Sequence, residues 1–180
     1  ATAGSGADSV RRSDETGHGV PTVAWSFALP VGAEINSSPA VEDGRVFFGA
    51  NDGAVRALDA ASGALLWQFD AADIVVSSPA VFAGRVYVGG RDGRVHCLQA
   101  STGELLWEAD LAGHVLSSPV VDTTRVYVAV GFPASRFVAL DRLTGATLWS
   151  IAAGQTTSAS PCLGGGLLFV AADGGVLRAL

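Results

Sequence analysis

The chain has 180 residues, a formal net charge of −6, and 49% hydrophobic but only 16% charged residues. Its basic residues are all arginines, without a cluster that could follow phosphates, which argues against nucleic acid as a partner. No apolar run approaches the roughly 20 residues that a membrane helix requires, so no membrane span is predicted. The chain contains no methionine, and we expect a processed product or a fragment.

The first 20 residues are small, polar and charged. Such a composition cannot bury enough apolar surface to order the backbone. Residues 1–20 are therefore predicted to be a disordered linker, and residues 21–180 to form one domain.

A repeat of about forty residues begins after this segment. Tryptophan marks it at Trp25, Trp67, Trp107 and Trp149. The sequence Ser-Ser-Pro recurs in the same register at 37–39, 77–79 and 117–119, with a looser copy at 158–161. A period near forty is typical of the four-stranded blade of a β-propeller.

Each copy contains the signals of four short strands. An apolar pair follows Ser-Ser-Pro, and a polar turn leads into Gly44–Gly49 or its counterpart Gly84–Gly89. An Asp-Gly dipeptide at 52–53, 92–93 or 173–174 then favours a tight hairpin. A third strand and a second turn precede the tryptophan strand. With 23 glycines and no long amphipathic helical pattern, the prediction is an all-β fold of four-stranded antiparallel blades.

The third copy replaces the Asp-Gly hairpin by the longer sequence Gly131-Phe132-Pro133-Ala134-Ser135. Loops that interrupt a repeat are frequent sites of function, because the scaffold tolerates variation there. Neutral variation in a surface loop is the alternative.

The second turn carries a recognisable motif. Residues 57–67 and 139–149 resemble the tryptophan-docking motif Ala-x-Asp-x-x-Thr-Gly-x-x-x-Trp of pyrroloquinoline quinone (PQQ)-type propeller repeats. The second copy has Cys97 and Gln99 in the alanine and aspartate positions but keeps Thr102, Gly103 and Trp107. The resemblance covers roughly residues 23–180 and implies a PQQ-like β-propeller.

The motif also has a structural explanation. An outer-strand tryptophan buries a large ring between blades, alanine leaves space for it, and glycine permits the turn. Asp59 and Asp141 are expected to accept backbone hydrogen bonds inside the turn. The predicted structural docking residues are Trp25, Trp67, Trp107, Trp149, Asp59, Asp141, Gly63, Gly103 and Gly145.

The four copies leave the closure of the ring open. The motif begins at Ala179-Leu180, and residues 23–27 resemble an outer strand without the rest of its blade, so Trp25 could complete the fourth blade. Rings of this family usually hold seven or eight blades. The alternatives are a partial propeller, half of an eight-bladed ring formed as a homodimer, and a closed four-bladed ring.

The resemblance also permits a test for quinone chemistry. Family dehydrogenases hold PQQ with a calcium ion, an acidic base, a stacking tryptophan and often a disulfide between adjacent cysteines. Here Cys97 and Cys162 lie far apart in sequence, and all four tryptophans occupy docking positions. We therefore expect no enzyme, no cofactor and no bound metal, with Cys97 replacing a small alanine in packing.

The segment before each Ser-Ser-Pro is expected to face the central funnel. The aligned residues there are Glu34, Asp73, His114 and Gln155. Such a mixed polar ring could bind a cation or a polar ligand, or simply line a wet channel. The predicted function is a non-catalytic binding or scaffold module for a protein or peptide partner. The resemblance extends to outer-membrane assembly lipoproteins and to sensor propellers of bacterial receptor kinases, which implies a periplasmic or extracytoplasmic location. The alternatives are a piece of a PQQ- and calcium-dependent quinoprotein dehydrogenase and the ligand-sensing domain of a bacterial receptor kinase.

Overall fold

The computed structural model describes residues 22–172 and 174–180, so the predicted linker at 1–20 lies outside the described residues. Fifteen strands are formed in this part of the chain, with no helix. They are β1 (Ala40–Glu42), β2 (Arg45–Gly49), β3 (Ala54–Asp59), β4 (Leu65–Asp70), β5 (Ala80–Phe82), β6 (Arg85–Gly89), β7 (Arg94–Gln99), β8 (Leu105–Asp110), β9 (Val120–Val121), β10 (Arg125–Val130), β11 (Arg136–Asp141), β12 (Thr147–Ala152), β13 (Cys162–Gly164), β14 (Leu167–Ala172) and β15 (Val176–Ala179).

The strands form four separate antiparallel sheets in chain order. Blade 1 is β1-β2-β3-β4, blade 2 is β5-β6-β7-β8, and blade 3 is β9-β10-β11-β12. Blade 4 contains β13-β14-β15, so three strands of it lie within the described residues. The predicted all-β fold of propeller blades is confirmed.

Burial follows the position of each strand within its blade. The third strands β3, β7 and β11 are buried at four or five consecutive positions, because both faces of each blade meet a neighbour. The outer strand β4 shows alternating burial around Trp67, as expected when one face is solvated. The hydrophobic stretches of the sequence therefore become blade centres.

The core consists of layers between successive blades. Phe47, Val55 and Ala57 of blade 1 pack with Val86 and Val88 of blade 2. Equivalent layers join blade 2 to blade 3 and blade 3 to blade 4. Each blade therefore buries apolar side chains against its neighbours, as in other repeat architectures.

The Ser-Ser-Pro serines have two distinct structural tasks. The first serine is buried and bonds to the second strand: Ser77 Oγ donates to the Gly89 carbonyl and accepts from the Gly89 N–H, both at 2.8 Å. The second serine joins blades, because the Ser78 hydroxyl accepts the N–H of Ser38 at 2.8 Å. Two further bonds continue this series, Ser78 N–H to Ser118 Oγ and Ser118 N–H to Ser160 Oγ. The segments that lead into the first strands of successive blades are thus joined directly by hydrogen bonds.

The loops fall at two opposite ends of the blades. We call one end the connection face; it contains the β2–β3, β6–β7 and β10–β11 turns and the segments that connect blades, at 71–76, 111–116 and 153–157. The other end, the docking face, contains the first hairpin of each blade and the turns at 60–63, 100–103 and 142–145. Among the described residues, no helix has the length and apolarity needed to cross a membrane.

Candidate binding face

The connection face is an ordered surface, because its loops are bonded to one another. Within blade 1, the Val75 N–H donates to the Ala50 carbonyl at 3.1 Å. Between blades, the Arg91 N–H donates to the Ile74 carbonyl at 3.0 Å, and the Gly131 N–H donates to the His114 carbonyl at 2.8 Å. The backbones of these loops are therefore held in fixed relative positions.

The loop that interrupts the repeat projects an aromatic side chain from this face. Phe132 is 69% exposed. Its backbone is nevertheless fixed, since its carbonyl accepts the His114 N–H at 3.0 Å and the Ser135 N–H donates to the Gly131 carbonyl at 2.9 Å. Ala134 packs against the neighbouring connection, where a Cβ on Gly113 would lie 2.9 Å from it. A large apolar group is thus presented on a defined loop.

His114 lies beside this loop and is half-buried. Its Nδ1 is 2.6 Å from the Arg91 carbonyl oxygen, which can only act as a hydrogen-bond acceptor. The bond therefore places a proton on Nδ1 and leaves Nε2 as the remaining polar atom of the ring. His114 joins the turn of blade 2 to the loop of blade 3.

The other predicted funnel residues do not join His114 in one cluster. The Glu34 N–H donates to Asn51 Oδ1 at 2.7 Å, while the exposed Asp73 accepts the N–H of the next residue, Ile74. Gln155 lies near Gly174, where an added Cβ would be 3.7 Å from the Gln155 Cγ. Among the residues that the structure describes, no group of three or more His, Cys, Asp or Glu side chains is arranged to hold a metal ion.

The hydrogen-bond register corrects the sequence alignment of these four residues. The carbonyls of Glu34, Ile74 and His114 accept equivalent N–H groups from successive β2–β3-type turns, so Ile74 rather than Asp73 is the counterpart of Glu34. In the fourth copy, the Thr157 hydroxyl bonds to the Ala171 carbonyl as the Ser37 hydroxyl bonds to the Gly49 carbonyl, so Thr157 corresponds to Ser37. Glu34 lies three residues before Ser37, and its counterpart is therefore Gly154 rather than Gln155.

The docking tryptophans lie at the blade boundaries. The Nε1–H groups of Trp25, Trp67 and Trp107 donate to carbonyls of the following blade at 3.0–3.1 Å. The three receiving turns contain Gly63, Gly103 and Gly145, where an added Cβ would lie 2.6–2.7 Å from the indole. The fourth, Trp149, packs against Tyr127 with ring centroids 6.0 Å apart.

Trp25 docks on blade 1 in the way that Trp67 docks on blade 2. Its Nε1–H bonds to the Ala60 carbonyl, and its ring covers Gly63. An apolar pocket of about 170 Å³ lies between Trp25, Phe27 and Phe48. Residues 22–29 form no strand in the structure, so they add no fourth strand to blade 4.

The docking turns contain a carboxylate hydrogen-bond centre. Asp141 Oδ1 accepts the N–H groups of Leu143 and Thr144 and the Thr144 hydroxyl at 2.8–3.0 Å. The Thr144 hydroxyl and then its N–H lower the pKa of Asp141, because both favour the ionised carboxylate. Asp59 makes the equivalent bonds to the turn of blade 1, and its pKa is lowered for the same reason. These contacts are local and structural.

A second polar set was missed by sequence reasoning. In blade 1, the buried Arg56 makes two bonds to Asp52, at 3.0 and 2.6 Å, and its Nε donates to Gln68 at 2.9 Å. This bonding to Arg56 lowers the pKa of Asp52. In blade 2, the equivalent positions hold Asp92, His96 and Glu108. The available signal was a polar residue four positions after the aspartate of the first two Asp-Gly dipeptides, at Arg56 and His96.

These blades, their docking tryptophans and their turns define a β-propeller of PQQ-like repeats. The chain belongs to the family described as outer membrane protein assembly factor BamB, whose model matches residues 15–79 and 51–180. A search of curated proteins finds no match.

Solved structures show the same fold. BamB from Moraxella catarrhalis is 22% identical with a TM-score of 0.70, and the match covers 81% of this chain and 49% of that one. The quinohemoprotein alcohol dehydrogenase ADHIIG from Pseudomonas putida HK5 is 24% identical with a TM-score of 0.66, covering 78% and 28%. A chain of a mitotic checkpoint complex is 19% identical with a TM-score of 0.67, covering 76% and 45%. This chain thus spans about half the length of the BamB structure that it matches.

Proposed function

We propose that this chain is a non-catalytic recognition module that binds a protein or peptide partner through the connection face, with Phe132 as the central contact. The observation that carries the proposal is a 69% exposed aromatic side chain on a loop whose backbone is hydrogen-bonded to the neighbouring blade. Buried aromatic anchors dominate the binding energy of many protein interfaces. Exposing one in the absence of a partner has no benefit for folding.

The rigidity of the loop supports a role in binding. A partner that closes over Phe132 would bury a large ring without first having to order the loop, which lowers the entropic cost of association. The half-buried His114 and the exposed Arg91 adjoin the loop and supply polar groups at the edge of the contact. An apolar centre with a polar surround is the usual arrangement of protein interfaces.

The known relatives support a protein partner. The family description names an assembly factor for outer membrane proteins, and another structure with this fold is a chain of a mitotic checkpoint complex. The family relationship supports the further proposal that the chain acts in the periplasm or another extracytoplasmic compartment of a bacterium. More specifically, we propose that the partner is an extended segment of an envelope protein.

The absence of catalysis is also part of the proposal. Three indoles are engaged in docking bonds, and Cys97 is buried in blade 2 while Cys162 is exposed in blade 4. The two cysteines are therefore unpaired, three of the four tryptophans are committed to docking, and the fourth, Trp149, packs against Tyr127. The direct check is to add PQQ and calcium and to monitor binding by the quenching of tryptophan fluorescence. Saturable binding would contradict the proposed absence of catalysis.

Peptide selection tests the binding proposal. A displayed library of random peptides would be selected on the 180-residue chain, and the affinity of the selected peptides measured by calorimetry. Phe132→Ala should weaken binding by about tenfold or more, as expected for an aromatic hot spot. Leu143→Ala is the matched control, since Leu143 is 56% exposed at the opposite end of blade 3. Failure to select any peptide, or equal binding by both variants, would overturn the proposal.

The pairing of two copies into an eight-bladed ring is one of the alternatives for closure of the ring and is tested separately. Light scattering after size exclusion distinguishes a monomer of 18.2 kDa from a species of twice that mass. If monomer and dimer are in equilibrium, the measured mass will increase with the concentration of the chain. A monomer at all concentrations would contradict the dimer and leave the role of Phe132 unaffected.

A further inference from the structure

The polar set of blade 2 differs from that of blade 1 at its central cation. Arg56 and His96 occupy the same register position, opposite Phe48 and Val88 respectively. Both are buried, at 4% and 2% exposure. Arginine keeps its charge at every physiological pH, whereas histidine changes its charge near neutrality. The repeat thus offers an internal comparison for one buried site.

The contacts of His96 leave one of its nitrogens without a partner. Nε2 lies 3.2 Å from Asp92 Oδ2, whose side chain is only 7% exposed. Nδ1 is buried and has no hydrogen bond, yet it faces Glu108 Oε2 at 3.7 Å. If Nε2 carries the only proton, a lone pair on Nδ1 points towards a carboxylate. With a proton on Nδ1, the ring and the Glu108 carboxylate would attract each other and form an ion pair once the two atoms move slightly closer together.

We propose that His96 is held as an imidazolium that bridges Asp92 and Glu108, so that blade 2 contains a proton-dependent version of the ion pair that Arg56 makes permanent in blade 1.

The balance of charge supports this assignment. In blade 1, Asp52 is matched by Arg56, and the third member, Gln68, is neutral. In blade 2, the third member is Glu108, which is also contacted by Arg94 at 3.3 Å. The two carboxylates of blade 2 are therefore balanced by two cations only when His96 carries its second proton. A neutral His96 would leave a nearly buried Asp92 carboxylate without a cation, which is costly.

The groups that face His96 are few. Asp92 approaches from the β6–β7 turn and Glu108 from β8, while Arg94 acts through Glu108 from the same strand as His96. From blade 1, the uncharged Phe69 packs against the ring with centroids 5.4 Å apart. The aromatic contact covers the ring at the boundary of the two blades.

The site is coupled to the connection face through one turn. Asp92 Oδ1 accepts the Arg94 N–H at 3.0 Å, so the carboxylate that binds His96 also holds the β6–β7 turn. The preceding residue, Arg91, offers its carbonyl to His114 Nδ1. Loss of the proton from His96 should weaken the hydrogen bonding of Asp92 in the β6–β7 turn. The Arg91 carbonyl in that turn, and with it the hydrogen bond to His114, should then become less well fixed.

Nuclear magnetic resonance of the ring nitrogens gives the direct test. The side-chain ¹⁵N shifts of His96 should report two protonated nitrogens in the folded chain between about pH 6 and pH 7. The signals of His96 are identified among those of the three histidines by their loss in His96→Arg. A His96 ring with one proton throughout this range would overturn the proposal. A ring whose ¹⁵N shifts change on addition of Zn²⁺ but not with pH would also overturn it, because Nδ1 and Glu108 would then bind a metal.

Unfolding in urea gives a second readout. The unfolding equilibrium constant of the natural chain should increase by at least about threefold between about pH 6 and pH 8, because the paired imidazolium exists only in the folded state. His96→Arg copies blade 1 and should remove this dependence while keeping the fold. Glu108→Gln should reduce it. If His96→Arg retains the full pH dependence, the proposal is wrong; should it fail to fold, the shifts of the natural chain still decide.

Discussion

A Cβ added to Gly103 would lie 2.7 Å from ring atoms of Trp67, and the Trp67 Nε1–H donates to the Ala100 carbonyl at 3.0 Å. The indole of blade 1 is therefore seated directly on the turn of blade 2. The contact uses both the apolar ring and its polar N–H, as is usual for buried tryptophan. The same relationship recurs at Trp25 with Gly63 and makes docking a property of the repeat.

Gly103→Ala should destabilise the chain by about 1–3 kcal/mol more than a matched substitution, because the methyl group overlaps the indole. Gly84→Ala is that control: the φ angles are +76° and +72°, but nothing lies within 4 Å of a Cβ at Gly84. Backbone strain is thus common to both variants. Urea unfolding followed by tryptophan fluorescence measures the difference, and equal losses would show that the docking contact is unimportant.

Ser77→Ala should cost about 1–3 kcal/mol, since it removes the hydroxyl that bonds to both the N–H and the carbonyl of Gly89 in the blade interior. Ser38→Ala is a suitable comparison because Ser38 is exposed at the start of the series of serines. We expect a smaller loss there. Urea midpoints of the two variants provide the measurement, and a larger loss for Ser38→Ala would contradict this account.

Asp141→Asn should destabilise the chain at neutral pH but not in acid. The pKa of Asp141 is lowered in the folded protein, first by the Thr144 hydroxyl and then by its N–H. A lowered folded-state pKa contributes stability above the unfolded value of about 4, which is lost as the pH falls through the folded value. The difference between natural and variant urea midpoints should therefore shrink towards about pH 2. A difference independent of pH would rule out the carboxylate as its origin.

Only one of the two thiols should react quickly in the folded chain. Burial raises the pKa of Cys97 to about 11, so its nucleophilic thiolate is scarce near neutral pH, and the side chain is also inaccessible. Cys162 is exposed. Titration with a thiol reagent near pH 8 should detect one fast thiol in the native chain and two after unfolding. Cys162→Ser should abolish the fast phase, and a fast thiol in that variant would show that Cys97 is accessible.

The strands and turns were accessible from sequence because they depend on local pattern. Asp-Gly at 52–53 and 92–93 forms hairpin turns, and the alternation around Trp67 matches an outer strand with one solvated face. The period near forty gives successive sheets, which the structure confirms. The longer loop at Phe132 was also visible as a break in this period. Its exposure and its bonds to His114 required the folded chain.

The sequence by itself determined the repeat, the strand content and the turns, since residues close in the chain govern these features. Only the tertiary structure decided the alignment of the connections, where Ile74 rather than Asp73 corresponds to Glu34, because that register depends on bonds between blades. The environment of His96 was decided in the same way. Its ring meets Phe69, Asp92 and Glu108 from three different elements, and no local pattern specifies that meeting.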